Sequence, residues 1–216
     1  MSENCHSILR RTELRENTIS TSRSLRSRFL GSFMELNQLP KDRRPQIAIA
    51  GRSNVGKSSL LNRLLGSRRL AKVSGTPGKT RSLNFFLVND HFYLVDLPGY
   101  GYAKAPLSLK QKWGKLVKEY LETTEHIVGL ILLLDCRRET TTQDNELVNW
   151  LTERQLPVLV ALTKADKLSR VRLADKVRNA EIEFDTSVIA CSASSGLGKN
   201  ELVDAVRELV NRHVRF

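Results

Sequence analysis

The chain has 216 residues, 40% of them hydrophobic and 27% charged, which is ordinary for a soluble globular protein and sufficient for one domain with a sizeable core. Its three cysteines are widely spaced and form no C-x-x-C, so they indicate neither a disulfide framework nor a zinc site, and reduced thiols in a cytosol are expected. No stretch approaches the roughly 18 to 20 apolar residues that a membrane span needs, so no membrane partner is expected.

The formal net charge of +12 is concentrated in two segments. Residues 66–82 and residues 97–118 each hold five Lys or Arg and no acid, so together they account for ten of the net positive charges. Charge confined in this way indicates an anionic partner of some size. A solvated basic face is the alternative interpretation of the lysines.

Residues 1–28 are rich in Ser and Arg and lack the apolar core of a secretory signal. We expect a disordered basic tail. An organellar transit peptide is the alternative, and Glu3, Glu13 and Glu16 count against it. Residues 29–216 are then expected to form a single domain, in which residues 29–40 look partly ordered.

Strands and helices alternate through this domain. The predicted strands span 46–50, 83–89, 91–96, 126–135, 157–163 and 187–193, and the predicted helices span 57–65, 107–122, 142–154, 169–183 and 199–213. Asn89-Asp90 joins the second and third strands as a hairpin. The pattern predicts a three-layer α/β domain, in which helices cover both faces of a mostly parallel sheet with one antiparallel edge hairpin.

The first strand opens onto "GRSNVGKS" (51–58), which matches G-x-x-x-x-G-K-[ST] between a predicted strand and a predicted helix. Glycines let the backbone wrap a phosphate, so that successive N–H groups and the helix N-terminus face the anion. The lysine can reach the β- and γ-phosphates and the serine hydroxyl can ligate Mg²⁺; a chance match in a glycine-rich turn is the alternative. The predicted nucleotide contacts are Gly51, Arg52, Ser53, Asn54, Val55, Gly56, Lys57 and Ser58.

A second phosphate motif, D-x-x-G, follows the strand 91–96. Asp96 occupies the place of a Walker-B carboxylate that holds Mg²⁺ through water, and the Gly99 amide is placed to sense a γ-phosphate. A turn-forming D-x-x-G is the alternative, which its position about 40 residues after the phosphate loop disfavours. Asp96, Leu97, Pro98 and Gly99 are predicted nucleotide contacts.

Tyr100 stands where many hydrolases of this kind carry a glutamine that orients the attacking water. A tyrosine cannot orient water in that way. The sequence therefore predicts slow intrinsic hydrolysis.

The base is indicated by "TKAD" (163–166), which follows the strand 157–163. Asp166 can accept hydrogen bonds from guanine N1–H and the 2-amino group; adenine offers neither, which would leave the carboxylate unpaired. GTP is therefore the predicted nucleotide. Lys164 is expected along the purine, Thr163 replaces the commoner asparagine and can brace the loop by its hydroxyl, and backbone N–H groups of "CSAS" (191–194) can reach the guanine O6. The predicted base contacts are Thr163, Lys164, Ala165, Asp166, Cys191, Ser192 and Ala193.

With these motifs the chain resembles the EngB/YihA/YsxC family of bacterial ribosome-assembly GTPases, within the TrmE-Era-EngA-YihA-Septin-like class. The matching segments are "AGRSNVGKSSLLN" (50–62), "SGTPGKTRSLNFF" (74–86), "DLPGYGYAK" (96–104), "KW" (112–113) and "LTKADKL" (162–168). The resemblance begins near residue 29 and leaves the first 28 residues outside it.

The resemblance implies a Ras-like P-loop fold and a slow Mg²⁺-dependent GTPase that binds GTP and GDP in the cytoplasm. Its implied partners are a precursor of the large (50S) ribosomal subunit and its rRNA, with a requirement for normal cell division and septation. We expect a monomer. A GTP-dependent RNA-binding module with little productive hydrolysis and a septum- or membrane-associated GTPase are the competing interpretations.

Carried over by motif, the implied Mg²⁺ ligands are Ser58 and Thr80, with Asp96 acting through water. Thr80 lies in a switch I segment whose implied nucleotide contacts are Gly78, Lys79, Thr80, Arg81 and Ser82. Arg81 replaces an expected glutamine, and Ala193 replaces a frequent serine; neither change threatens the ligand set. Ordering of the two basic segments by GTP is expected to time an RNA contact. Trp113 and Tyr102 could stack on bases, although packing on the core is the favoured interpretation of Trp113.

Two substitutes for the missing glutamine stay open. One is a group supplied in trans by the ribosomal particle. The other is K⁺ held by Asn54, as in related GTPases with G-R-x-N-x-G-K-S loops; the alternative is that Asn54 only stabilises the loop. The residues predicted to act in hydrolysis are Lys57, Thr80, Gly99 and Asn54.

Overall fold

The computed structural model describes residues 25–67, 82–100 and 107–214, with the helical backbone alone for 107–113 and 214. Within these ranges no helix is long and apolar enough to cross a bilayer. Residues 1–24 of the predicted tail 1–28 lie outside the described residues, as do Tyr102, the side chain of Trp113 and the predicted switch I residues Gly78, Lys79, Thr80 and Arg81.

The described ranges contain seven strands and five α-helices. The strands are β1 (Ser27–Phe33), β2 (Gln46–Gly51), β3 (Leu83–Val88), β4 (Phe92–Asp96), β5 (Ile127–Asp135), β6 (Val158–Thr163) and β7 (Val188–Ala190). The helices are α1 (Lys57–Leu64), α2 (Leu107–Thr123), α3 (Thr142–Glu153), α4 (Arg170–Phe184) and α5 (Lys199–Val214). The helices match the predicted ranges closely because their apolar positions recur at the helical period.

All seven strands form one sheet in the order β1-β3-β4-β2-β5-β6-β7. Strand β2 pairs in parallel with β4 and β5, and β5, β6 and β7 continue the parallel part. Only β3 runs the other way, antiparallel to both β1 and β4. The predicted three-layer α/β fold with a mostly parallel sheet and an antiparallel hairpin is thus confirmed.

Strand β1 was not predicted as a strand, and it lies outside the hairpin, at the edge of the sheet. Most of its side chains are exposed or half-buried, so its sequence lacks the alternation that identifies a strand. Backbone pairing with β3 holds it instead. Phe29 and Phe33 add ring contacts with Phe86 and Phe85, with centroids 5.5 and 5.4 Å apart.

Two hydrophobic clusters occupy the two faces of the sheet. One joins Ile47 and Ile49 of β2 to α1 and α5, and the other joins the alternate residues Ala48 and Ala50 to α2, α3 and α4. Successive side chains of a strand point to opposite faces, so a central strand covered on both sides must be apolar throughout. Strand β5, "IVGLILLLD", is buried along its whole length for this reason.

The parallel strands bring four functional positions to one edge of the sheet. Gly51, Asp96, Asp135 and Thr163 are the last residues of β2, β4, β5 and β6. Ligands of open α/β sheets bind outside the carboxyl ends of the strands. The topology therefore collects the predicted phosphate and base motifs at a single edge.

Candidate nucleotide site

The phosphate loop runs from the end of β2 to the start of α1. Gly56 is the N-cap residue of α1, with a φ of 103°, and Asn54 has a φ of 66°. A Cβ on Gly51 would lie 2.9 Å from the backbone oxygen of Leu133, so only glycine fits against β5. The loop thus combines left-handed backbone with close packing, and it ends at a helix N-terminus suited to an anion.

Lys57 and Asp96 form a buried ion pair between α1 and the end of β4. The lysine Nζ contacts Asp96 Oδ1, and the two side chains are only 9% and 3% exposed. Asn84 of β3 donates from Nδ2 to the second carboxylate oxygen at 3.3 Å. Because an unpaired buried charge is costly, each member stabilises the other here.

The oxygen donors at this point suit Mg²⁺. The hydroxyl of Ser58, the second residue of α1, and the carboxylate of Asp96 are the hard oxygen ligands that Mg²⁺ takes, and nucleotide phosphates complete the set in P-loop enzymes. In the described ranges no three His, Cys, Asp or Glu side chains cluster as a metal site. Ser82, the described switch I residue, donates from its hydroxyl to Asn84 Oδ1 at 3.2 Å.

The loops after β6 and β7 join around Asp166. The Ser192 hydroxyl donates to Asp166 Oδ1 at 2.6 Å, Lys167 Nζ lies 3.1 Å from Oδ2, and the Ala165 amide donates to the Cys191 carbonyl. The Ser192 hydrogen bond, with help from Lys167, lowers the pKa of Asp166 to about 2. The carboxylate is therefore an ionised acceptor throughout the physiological pH range.

Lys164 connects the base loop to the phosphate loop. Its Nζ donates to the Asn54 backbone oxygen and to Asp135 Oδ2, each at 2.8 Å. Arg137 holds both oxygens of the same carboxylate, at 2.9 and 2.8 Å. Burial alone would raise the pKa of Asp135, but the hydrogen bonds from Arg137 and Lys164 outweigh it and leave that pKa well below its usual range.

Asp135 was missed from the sequence, although a signal existed. An acidic residue ends the buried run "LLLD" at the carboxyl edge of the sheet, where charge has to be paired or functional. Thr163, which was expected to brace the base loop, contacts the phosphate loop. Its Oγ1 donates to the Val55 oxygen at 2.7 Å.

A cavity of 710 Å³ opens between the start of α1 and the loops after β6 and β7. Gly56, Lys164, Asp166 and Ala193 lie in its wall. This volume falls in the range of small-ligand sites. The cavity is thus lined by one residue of the predicted loop 51–58 together with residues of the two predicted base loops.

Comparison with known proteins now identifies the family. Residues 46–164 match the family model of a 50S ribosome-binding GTPase. The chain is 46% identical over 187 residues to a protein named probable GTP-binding protein EngB from Caldanaerobacter subterraneus, covering 85% of this chain and 96% of that protein. A protein of the same name from Clostridium kluyveri is 43% identical, with 85% and 95% covered. The chain belongs to the EngB family of GTP-binding proteins.

Solved structures agree with the family and extend the fold comparison. A crystal structure of an EngB protein shares 25% identity and a TM-score of 0.65, covering 77% of this chain and 99% of that one. Era bound to MgGDPNP and nucleotides of 16S ribosomal RNA shares 27% identity and a TM-score of 0.59, covering 76% of this chain and 56% of Era. The chain is therefore a GTPase with an EngB-type G domain.

The basic segments are only partly within the described residues. Lys115 and Lys118 of α2 are exposed and lie 3.6 and 3.9 Å from Glu119 and Glu122, one helical turn further on. Exposed ion pairs of this kind contribute little to the stability of the protein. They do show that Glu119 and Glu122, just beyond the basic segment 97–118, partly offset the charge of Lys115 and Lys118 at its C-terminal end.

Proposed function

We propose that this EngB-family protein is a slow Mg²⁺-dependent GTPase that acts as a switch in the assembly of the large (50S) ribosomal subunit. The match of residues 46–164 to a 50S ribosome-binding GTPase model carries the proposal. The assembling subunit and its rRNA are the proposed partners, which places the protein in the bacterial cytoplasm. A defect in cell division and septation is the proposed consequence of its loss.

Each predicted residue has a part in the proposed nucleotide complex. Lys57 leaves Asp96 for the β- and γ-phosphates, and the Gly99 amide contacts the γ-phosphate. Ser58 and Thr80 would hold Mg²⁺, with Asp96 acting through water, and the ion would neutralise phosphate charge. The proposed remaining contacts come from the phosphate loop Gly51–Ser58, switch I Gly78–Ser82, and the residues Asp96–Gly99.

Recognition of guanine is proposed to rest on Asp166. Its carboxylate, fixed by Ser192, accepts from N1–H and the 2-amino group, while the Ala193 amide meets O6. The aliphatic stem of Lys164 lies along the purine. The conformation of the two base loops is stabilised by Thr163, Ala165 and Cys191.

Slow hydrolysis follows from Tyr100, whose hydroxyl is occupied by Asp144 at 2.6 Å. Another group must then assist the attack, either from the ribosomal particle or K⁺ held by Asn54. Asn54 is exposed on the phosphate loop with left-handed backbone, a position open to a cation beside the phosphates.

Turnover measured in K⁺ and in Na⁺ separates these two sources. If K⁺ assists, hydrolysis by the protein alone is faster in K⁺, and Asn54→Ala abolishes the difference. Equal rates in both salts, with Asn54→Ala unchanged, remove the cation and leave assistance in trans.

An RNA partner fits the charge of the two basic segments, residues 66–82 and 97–118. Lys and Arg that neutralise phosphates release counterions, which gives salt-dependent affinity. Each segment contains a position with a proposed role at the γ-phosphate, the Mg²⁺ ligand Thr80 in the first and Gly99 in the second, so GTP can control their arrangement. A related fold offers a precedent, because Era has been crystallised with ribosomal RNA.

The proposal is tested by sedimentation with large-subunit precursors. The protein is expected to bind more tightly with a non-hydrolysable GTP analogue than with GDP. Replacing Lys110, Lys112 and Lys115 by Gln should weaken binding and reduce its salt slope by about 2 to 3.

A matched control removes the same charge from exposed positions of α4, by replacing Arg170, Arg172 and Arg178 with Gln. This variant should bind the particle like the wild type. Equal binding in both nucleotide states would overturn the switch, and equal losses in both triple variants would reduce the RNA contact to nonspecific charge.

A further inference from the structure

Tyr100 is attached to the phosphate loop by its backbone. It forms an isolated parallel bridge with Arg52, and its carbonyl accepts a hydrogen bond from the Ser53 amide at 3.0 Å. Upstream, the Leu97 amide donates to the Ile49 oxygen of β2 at 3.0 Å. Only Pro98 and Gly99 lie between these two hydrogen-bonded residues, so Gly99 is held on both sides.

Gly99 itself lies close against the phosphate loop. A Cβ at this position would lie 3.3 Å from both the amide nitrogen and the Oγ of Ser53, and 3.4 Å from the Gly51 oxygen. Contacts of that length are tight for a real side chain. The amide proposed to contact the γ-phosphate is therefore beside the loop that carries the phosphates.

The Tyr100 side chain points to a different element, the start of α3. Its ring is partly buried and packs on the cluster beneath α2, α3 and α4. Its hydroxyl donates to Asp144 Oδ1 at 2.6 Å. Burial, and then the hydrogen bond to Asp144, raises the pKa of Tyr100 far above its usual value, so the hydroxyl stays a protonated donor.

Asp144 is itself immobilised. It is 1% exposed, and its Oδ2 accepts from both the amide and the hydroxyl of Thr141, at 2.8 and 2.7 Å, in a capping box at the start of α3. Such a box fixes the first turn of a helix. The carboxylate therefore acts as a fixed anchor for the tyrosine.

We propose that Tyr100 is a positioning residue, anchored on Asp144, that holds the Gly99 amide at the phosphate loop and so favours GTP over GDP. The inference rests on the proposed contact between Gly99 and the γ-phosphate. It explains why a tyrosine follows D-x-x-G. The Tyr100 hydroxyl anchors the side chain on Asp144. The Gly99 amide is thereby held in place and can bind the γ-phosphate without first having to be ordered.

The test is a double-mutant cycle with Tyr100→Phe, which keeps the ring, and Asp144→Ala. Tyr100→Phe is expected to weaken binding of a non-hydrolysable GTP analogue by about 10-fold, while the affinity for GDP changes by less than about 2-fold. The double variant should lose no more of the preference for the GTP analogue over GDP than either single variant, because both substitutions remove the hydrogen bond between Tyr100 and Asp144.

Asp144→Ala also weakens the start of α3, and Thr141→Ala controls for that loss. Thr141→Ala removes the threonine hydroxyl of the capping box but leaves the hydrogen bond between Tyr100 and Asp144. Thermal melting should therefore fall in both Asp144→Ala and Thr141→Ala, whereas the preference for the GTP analogue should fall only in the first.

Steady-state hydrolysis adds a second readout. In Tyr100→Phe, KM for GTP should rise by about 10-fold and kcat should fall by less than about 3-fold, because the lost contact positions the γ-phosphate amide and does not touch the reacting atoms. A loss confined to kcat would overturn the proposal and make the hydroxyl part of the chemistry. An unchanged GTP-analogue preference with normal GDP binding would also overturn it, while leaving the proposed GTPase switch intact.

Discussion

The two sides of the site differ in what already holds their polar groups. The base side comprises Asp166 and Lys164 with their partners Ser192 and Asp135, and these bonds can remain when guanine enters the cavity. The phosphate side comprises Lys57 and Asp96, which neutralise each other. That pair has to separate before Lys57 can reach a phosphate.

The difference indicates that the polar groups on the base side are already held in position, whereas those on the phosphate side must exchange their present partners for the ligand. Preorganised groups bind a ligand without an ordering cost. An ion pair that must be broken makes binding depend on what replaces it, here phosphate oxygens and Mg²⁺. Base selection should therefore be insensitive to Mg²⁺, and the state of the switch should depend on it.

Removing Asp166 should break the base side most strongly. Asp166→Ala removes the two proposed hydrogen bonds between a charged acceptor and guanine, so GDP should bind roughly 10²- to 10⁴-fold more weakly. Titration calorimetry measures the loss.

Asp166→Asn supplies the matched variant. Its amide can donate to the C2 oxygen of xanthine and accept from N1–H, so xanthosine diphosphate should bind better than GDP. Unchanged GDP affinity in Asp166→Ala would mean that another residue reads the base.

Replacing Asp96 should lower the stability of the nucleotide-free protein, preserve its affinity for GDP in EDTA and remove the effect of Mg²⁺ on that affinity. Asp96→Asn leaves Lys57 beside a neutral amide in the buried site, so the nucleotide-free protein should lose about 3 kcal/mol of stability and several degrees of Tm. Because Lys57 is then free, GDP binding in EDTA should be undiminished. The gain in affinity on adding Mg²⁺ should disappear. Melting and GDP titration in both buffers check the three expectations.

Asp135 tests the connection between the two sides. Asp135→Asn weakens the hold on Lys164, and GDP affinity should fall by about 10-fold. Arg137→Ala is the control, because it removes the exposed guanidinium and keeps the bond between Lys164 and Asp135. A similar loss in both variants would contradict this account, because Arg137→Ala keeps the bond between Lys164 and Asp135 and changes the net charge in the opposite direction to Asp135→Asn.

The smallest effect concerns pH. The pKa of Asp166 is about 2 in the folded protein, below its ordinary value, so its contribution to stability is complete above about pH 4 and declines as the pH falls toward 2. Ser192→Ala removes the main cause and should raise that pKa toward its ordinary value. Carbon-13 NMR of the side-chain carboxyl group reports the midpoint; an unchanged midpoint would assign the shift to Lys167.

Local patterns were sufficient for the parts of the fold that obey them. The apolar run of β5 and the periodic apolar positions of α5 identified these elements because burial on both faces or on one face leaves a clear period. Strand β1 was not identified because it is held by backbone pairing with β3 and by ring contacts of Phe29 and Phe33, and not by an alternating apolar face. Pairing of this kind has no local signature.

The same distinction applies to the site. The loops 51–58 and 163–166 could be located because their chemistry requires fixed residue types at fixed spacing. Asp135, Asn84 and Asp144 could not be given roles, because each acts on a residue more than ten positions away in the chain. Their partners Lys164, Asp96 and Tyr100 come close only when the sheet forms.

The most direct test of a preorganised base side beside an exchangeable phosphate side is nucleotide titration with and without Mg²⁺. Affinities for a non-hydrolysable GTP analogue would be measured for the wild type, Asp166→Ala and Asp96→Asn in both buffers. We predict that Asp166→Ala loses the same factor in Mg²⁺ and in EDTA, and that Asp96→Asn alone loses the effect of Mg²⁺. A loss at Asp166 that changes with Mg²⁺, or a full Mg²⁺ effect in Asp96→Asn, would contradict the account.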